Sequence, residues 1–260
     1  MSKSNQDGKY GRWLRSPAMA ARNRWRRFRG GLREGAMWVE RLRHSLPTLQ
    51  LNTLAPPLDT AVEIVEEHRW LPTKRDRADA PEDLLSLLRI VRSIRPKSIL
   101  ELGTAHGNTV ANLCRVCDAK IWTVNALPEQ IDGDITTVTL TQIEIGCVYR
   151  NLGYSDRVTQ VYENTANIDY SRYLASTTVD LAIIDACHDT AFVISDFLRI
   201  LPVLAPNAVV LFHDTHPSRV AHLFGSYDAC VKLRRRGFDI SHIEGTWWGY
   251  YVHRAGGSRP

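Results

Sequence analysis

No apolar run in these 260 residues approaches the ~18 needed for a membrane-crossing helix. A secretory pattern is missing as well, because Met1 to Lys9 is polar and no apolar stretch follows. Cysteine is scarce. Five residues, an odd number at no framework spacing, predict reduced thiols and a cytoplasmic setting. Cys114-x-x-Cys117 is half a zinc site with no second pair, and Val110 and Leu113 share its helical face, so it reads as packing. Acidic residues are sparse in one place. Residues 1–45 hold three of them against twelve Lys/Arg, a net +9 that leaves −4 for the rest of the chain.

That basic arm forms the first part of a two-part organisation, an extension over 1–78 and a domain over 79–260. Within the arm, Ser16-Pro17 offers a helix start and Gly30-Gly31 a stop. Leu14, Ala18, Ala21, Trp25 and Phe28 fall on one face between arginines. A second helix fits 34–45 and a third 58–67. A cationic amphipathic helix with aromatics on one face packs on a domain or partner subunit, lies on anionic lipid, or grips RNA phosphates. All three partners stay open at this point, and the lipid reading would make the protein peripheral to a membrane.

From residue 79 the pattern changes. Asp79-Ala-Pro-Glu82 has capping-box spacing, followed by Leu84, Leu85, Leu88 and Val91 on one helical face. Short apolar runs then alternate with helical patterns. Strands are expected at 98–102, 120–125, 157–162, 179–185 and 207–213, and helices at 107–117, 142–152, 190–201 and 218–236. The rhythm predicts a parallel sheet with helices on both faces. Segments 237–244 and 246–252 are too close to do anything but pair as an antiparallel hairpin.

Open parallel sheets bind ligands beyond the carboxyl ends of their strands. Each predicted strand here ends in polar or ionisable residues: Glu101 to Gly107, Asn125, Glu163-Asn164, Asp185 to Asp189, and His213-Asp214-Thr215. Caps and turns explain one or two such endings, but not all of them. In Glu101-Leu-Gly103-Thr-Ala-His-Gly107, two glycines let backbone approach a ligand, and the helix that follows offers unpaired N–H groups to a carboxylate or phosphate. The spacing is not the G-x-G-x-x-G of dinucleotide binders, and no acid ends the second strand.

Segments 99–109, 179–189 and 209–215, with the final hairpin, resemble those of class I S-adenosylmethionine-dependent methyltransferases. The nearest likeness is to the small-molecule O-methyltransferase branch of macrocin and catechol O-methyltransferases. The resemblance implies a Rossmann-like α/β fold: a seven-stranded, mostly parallel sheet with an antiparallel last strand. It implies that Glu101, Gly103, Thr104, Ala105, Gly107, Asn125, Asn164 and Asp185 contact S-adenosylmethionine. Asn125 stands where the family usually has an acid on the ribose, with Glu129 nearby as a substitute. Pro206-Asn207-Ala208 replaces a Pro-Gly-Gly turn, which Asn tolerates.

The implied reaction is methyl transfer to a hydroxyl of a small molecule, such as a sugar or polyketide-like metabolite, by a chain that could form a homo-oligomer. Asp185, His188 and His213 are the catalytic candidates. His188 or His213 would take the hydroxyl proton, or a Mg²⁺ held by Asp185 and Asp214 would acidify it. Two alternatives come from other classes: an RNA methyltransferase using the arm, and a non-catalytic scaffold of the same fold. Trp247-Trp248 and Tyr250-Tyr251 either roof a pocket or fill the core.

Overall fold

Ser98-Ile-Leu-Glu-Leu102 is buried at every position, the signature of a strand with partners on both sides and cover on both faces. In the computed structural model it lies inside an eight-stranded sheet. The structure describes residues 35–40, 42–43, 45–57, 74–131, 137, 139–216 and 224–254. Two units emerge from the contacts, Met1–His44 and Ser45–Pro260. In the first, residues 35–40 are helical. The helices expected from Ser16 to Gly30 and from Leu58 to Glu67 lie outside the described residues.

The second unit carries strands β1 (Thr48–Leu49), β2 (Ser98–Leu102), β3 (Lys120–Val124), β4 (Val158–Val161), β5 (Val179–Ile184), β6 (Leu204–Phe212), β7 (Ser241–Ile243) and β8 (Gly249–Val252). Their order is β1-β7-β8-β6-β5-β2-β3-β4. Pairs β2–β3, β2–β5, β3–β4 and β5–β6 are parallel, whereas β8 runs antiparallel to both β6 and β7. This is the expected Rossmann-like sheet with a reversed last strand, plus one strand more than the seven expected. The addition is β1, two residues paired parallel to β7. It follows Pro47, whose carbonyl accepts the His242 N–H, and it precedes residue 79, where the domain was expected to begin.

Besides two four-residue helices, Leu51–Leu54 and Ser171–Leu174, the helices described in this unit are α1 (Lys74–Ile94), α2 (Asn108–Val116), α3 (Cys147–Asn151), α4 (Thr190–Ile200) and α5 (Phe224–Arg235). Helix α1 begins before the Asp79–Glu82 box that was expected to start it. A capping box forms at Thr141 and Glu144, with Glu144 Oε2 accepting from the Thr141 amide and hydroxyl. It caps a run of turns that precedes α3, so the helix itself starts late.

On one face of the sheet, Leu87, Leu88, Ile90 and Val91 of α1 pack with Val110, Ala111, Leu113 and Cys114 of α2 over Ile99, Ile121 and Leu181. Burying each Leu, Ile or Val side chain among them contributes ~1.5–3 kcal/mol. On the other face, the Phe197 ring of α4 lies 5.3 Å from Phe212 and 5.2 Å from Tyr251. Cys114 and Cys117 belong to this packing. Burial pushes both thiols up, Cys114 to about 11, which disfavours the thiolate a metal would need.

Strand order reverses between β2 and β5. The chain runs outward through β3 and β4, then returns to the other side of β2 for β5 and β6. The crevice for a ligand therefore opens beyond Leu102, Ile184 and Phe212.

Candidate active site

Main-chain bonds extend the sheet one residue past its strands here. The Gly103 N–H donates to Val124 O, Asp185 N–H to Leu102 O and His213 N–H to Ile184 O, at 2.8, 2.8 and 3.0 Å. The polar residues after β2, β5 and β6 are thus held side by side. Gly103 adopts φ +101°, and a Cβ there would lie 2.1 Å from the Asp185 carbonyl oxygen. Glycine is required because two turns of backbone touch. At Gly107 (φ +83°) a Cβ would lie 2.6 Å from the Tyr149 ring.

Beneath the turn runs a directed chain of hydrogen bonds. Gln160 Nε2 donates to Thr104 Oγ1 (2.9 Å), Thr104 to Thr123 Oγ1 (2.7 Å) and Thr123 to Glu101 Oε2 (2.5 Å). Tyr149 closes it by donating to Gln160 Oε1 at 3.1 Å. Glu101 is 1% exposed. Burial pushes its carboxyl up to about 8, against the lowering effect of Thr123 and with a further push from Asp185. Two observations test whether this corner suits the zwitterionic end of an amino-acid-bearing nucleoside. Asn108 Oδ1, at the start of α2, is buried without a hydrogen-bond partner, and Glu101 is a second buried acceptor. Both fit an ammonium group, and the free N–H groups at the start of α2 fit a carboxylate.

Other candidates are placed differently. Thr104 is 3% exposed and its hydroxyl faces the network. Ala105 takes φ +45° and its N–H bonds Asn125 Oδ1 at 3.1 Å, while Asn125 Nδ2 bonds Ala126 O. Asn125 thus braces the glycine turn. Asn164 joins the loop after β4 to the Pro128–Gln130 turn through Gln130 O (2.9 Å) and accepts from Ala166 N. Glu129 is exposed on that turn. Asn207 takes φ +64° within β6, the conformation expected where a glycine is usual.

The structure gathers Asp185, His188, His213 and Asp214. His213 donates from Nδ1 to Asp185 Oδ1 (3.0 Å) and from Nε2 to Asp83 Oδ2 (2.8 Å), with Asp214 Oδ2 3.8 Å from Nδ1. Burial by itself would lower the pKa of this ring. The carboxylates of Asp185 and Asp214, and the bonds to Asp185 and Asp83, hold it well above the ordinary imidazole value. Both ring nitrogens of His213 are thus engaged by carboxylates that favour its protonated form, which counts against the general-base role expected for it.

His188 is arranged otherwise. Its Nδ1 lies 3.3 Å from Ser226 Oγ. Its Nε2 lies 3.9 Å from Asp185 Oδ1 and 3.7 Å from Asp214 Oδ2, beyond hydrogen-bond reach. Asp214 takes φ +56°, a left-handed conformation that Asp adopts more readily than most residues. One donor atom each from Asp185, His188 and Asp214 lie within 4.8 Å of one another, so this trio could hold a metal ion.

Sequence reasoning missed Asp83, Ser226 and Gly225. Gly225 packs so tightly that a Cβ would lie 2.1 Å from the His188 carbonyl oxygen. Asp83 left a signal, as an acid four residues before Leu87 on the buried stripe of α1. Trp248 is 3% exposed, and its ring centroid lies 4.5 Å from that of His213, with Trp247 at 6.0 Å.

Residues 100–215 match the family model of a methyltransferase domain. No protein of curated function matches the chain. Similar solved structures include the O-methyltransferase TomG of Streptomyces achromogenes, involved in tomaymycin synthesis and in complex with SAM. It is 18% identical over 68% of this chain and 81% of that one, at a TM-score of 0.46. The SAH-bound methyltransferase PaMTH1 of Podospora anserina is 16% identical over 66% and 77%, at 0.49. The N-methyltransferase NodS of Bradyrhizobium japonicum is 15% identical over 71% and 99%, at 0.48.

Proposed function

We propose that this chain is a class I S-adenosylmethionine-dependent methyltransferase that methylates a hydroxyl oxygen of a small molecule such as a sugar or polyketide-like metabolite, a reading supported by the match of residues 100–215 to a methyltransferase domain. When bound, the cofactor supplies an electrophilic sulfonium methyl. The glycine turn, Glu101 and Asn108 would hold its amino-acid end. What remains for the protein is to align the acceptor and remove its proton. Alignment can contribute ~7–11 kcal/mol and a placed base a further ~10²–10⁴-fold in rate.

The observation carrying this reading is the division of labour between two histidines. Both ring nitrogens of His213 are taken up by the carboxylates of Asp185 and Asp83. That leaves His188 as the base: with the Nδ1 proton directed to Ser226 Oγ, Nε2 presents its lone pair between Asp185 and Asp214. The carboxylates steady the imidazolium that forms. A second reading has one specific support, the clustering of Asp185, His188 and Asp214 donors. There the trio would hold a divalent ion, with Asp185 and Asp214 as its carboxylate ligands, that acidifies the acceptor hydroxyl.

All five cysteines are free, which suits a reducing cytoplasm, and among the described residues no helix is long and apolar enough to cross a membrane. The basic arm we assign to packing against this domain or a second copy, with RNA and anionic lipid as the alternatives.

The test is S-adenosylhomocysteine release on a panel of phenols, sugars and amines, with and without chelator, for wild type and His188→Gln. The base reading expects hydroxyl methylation that survives the chelator and falls at least ~100-fold in the variant. Turnover abolished by the chelator moves the assignment to the metal. Methylation confined to amines, or to RNA, overturns the acceptor class.

A further inference from the structure

An acid on the buried stripe of a helix is costly unless its oxygens are engaged. Asp83 is such a residue, on the face of α1 that also buries Ser86, Leu87, Ile90 and Val91, and it is 6% exposed. It sits nine residues inside the helix as bounded, so it is no cap. Its two oxygens go to different elements. Oδ2 accepts from His213 Nε2 after β6, and Oδ1 accepts the Trp247 N–H before β8, both at 2.8 Å. Its carbonyl accepts from Trp248 Nε1 at 3.0 Å.

We propose that Asp83 is a positioning residue of the transfer site: its carboxylate fixes the His213 ring, and through that ring the Asp185 carboxylate, while holding the Trp247 turn beside them. This rests on the reading that Asp185, His188 and Asp214 face the acceptor. The ring of His213 is gripped at both nitrogens, and Trp248 covers it at 4.5 Å. Removing the Asp83 grip frees the ring to rotate. The Nδ1–H bond to Asp185 Oδ1, 3.0 Å long, then loses its direction, and so does the carboxylate 3.9 Å from His188 Nε2. A backbone N–H is satisfied by any carbonyl. A staple between helix and hairpin would therefore be served by asparagine, whereas the ring bond requires an acceptor at Oδ2.

The test uses the full-length chain labelled with ¹⁵N-histidine. In wild type, two slowly exchanging ring N–H signals are expected for His213, assigned by their absence in His213→Gln. A single signal, or none, overturns the proposal without any Asp83 variant. Asp83→Asn keeps an acceptor for Trp247, so S-adenosylhomocysteine should still bind within about twofold by calorimetry. The Nε2–H signal should vanish, and the Nδ1–H signal, on the far side of the ring, should move. On whichever hydroxyl acceptor the wild type methylates, kcat should fall ~10–100-fold, the usual range for partners that orient site ligands. An unmoved Nδ1–H signal with a lowered unfolding midpoint means a structural staple only and overturns the proposal. If Asp83→Asn does not fold, Asp83→Glu, which keeps the charge, must retain both signals. Should wild type methylate no hydroxyl, the acceptor reading fails, while the Nδ1–H signal still decides the role of Asp83.

Discussion

Glu101→Gln separates what a buried carboxyl costs the fold from what it does for the ligand. Burial lifts this group from 4.5 to about 8. Between those values the folded chain holds a proton that the unfolded chain has released. Stability therefore falls as pH rises through that window and is level on either side. Each pH unit is worth about 1.4 kcal/mol, so the loss accumulates to roughly 4–5 kcal/mol by pH 9. Glutamine is neutral throughout and has no such slope. It can still accept from Thr123, and its amide adds an offset of ~1–3 kcal/mol that does not change with pH. Urea unfolding of the ligand-free proteins at pH 5 and pH 9 should show the variant gaining about 3–5 kcal/mol on wild type between the two. A difference that stays constant within about 1 kcal/mol would refute the buried, proton-holding carboxyl.

The same substitution has a second consequence of opposite sign. An ammonium beside this carboxyl favours its ionised form, and an ammonium–carboxylate pair is roughly twice as strong as a bond with a neutral partner. If Glu101 faces the cofactor's ammonium, Glu101→Gln should weaken S-adenosylhomocysteine about tenfold or more while stabilising the empty protein at high pH. A variant that is more stable and binds equally well would leave Glu101 without a ligand role.

Two further outcomes follow from the geometry. Gly103→Ala puts a Cβ 2.1 Å from the Asp185 carbonyl oxygen at φ +101°; it should lower the urea midpoint by the equivalent of ~3 kcal/mol or more, because backbone must part from backbone, and near-wild-type stability would contradict the close approach. Deleting residues 1–44, a separate unit by contacts, should leave S-adenosylhomocysteine affinity within about twofold by calorimetry, and its loss would show that the arm helps build the site.

Much of the architecture could be read from the chain because both kinds of periodicity are clean. β2 was expected at 98–102 and lies there, and α4 ends within a residue of expectation. These segments are buried on regular faces, so pattern and packing say the same thing. The failures are of another kind. β1 pairs through backbone alone over two residues, which leaves no side-chain pattern. Helix α3 starts late because its capping box closes on turns. At the site, the residue types at the strand ends were legible, and so was their convergence, since a parallel sheet must bring its carboxyl ends together.

Their roles were not legible, because a role depends on who stands opposite. His213 looks like a base in sequence, yet both its nitrogens are engaged by carboxylates, one from Asp185 and the other from Asp83, 130 residues away. Gly103 looks like room for a ligand, and is glycine because Asp185 O presses on it. In both cases the deciding partner comes from a distant element, placed by the packing of α1 and β5 rather than by any local pattern. The same crossing contacts make the proposals separable: a change at Asp83 should be felt at Asp185 through one ring, and a change at Gly103 through one carbonyl.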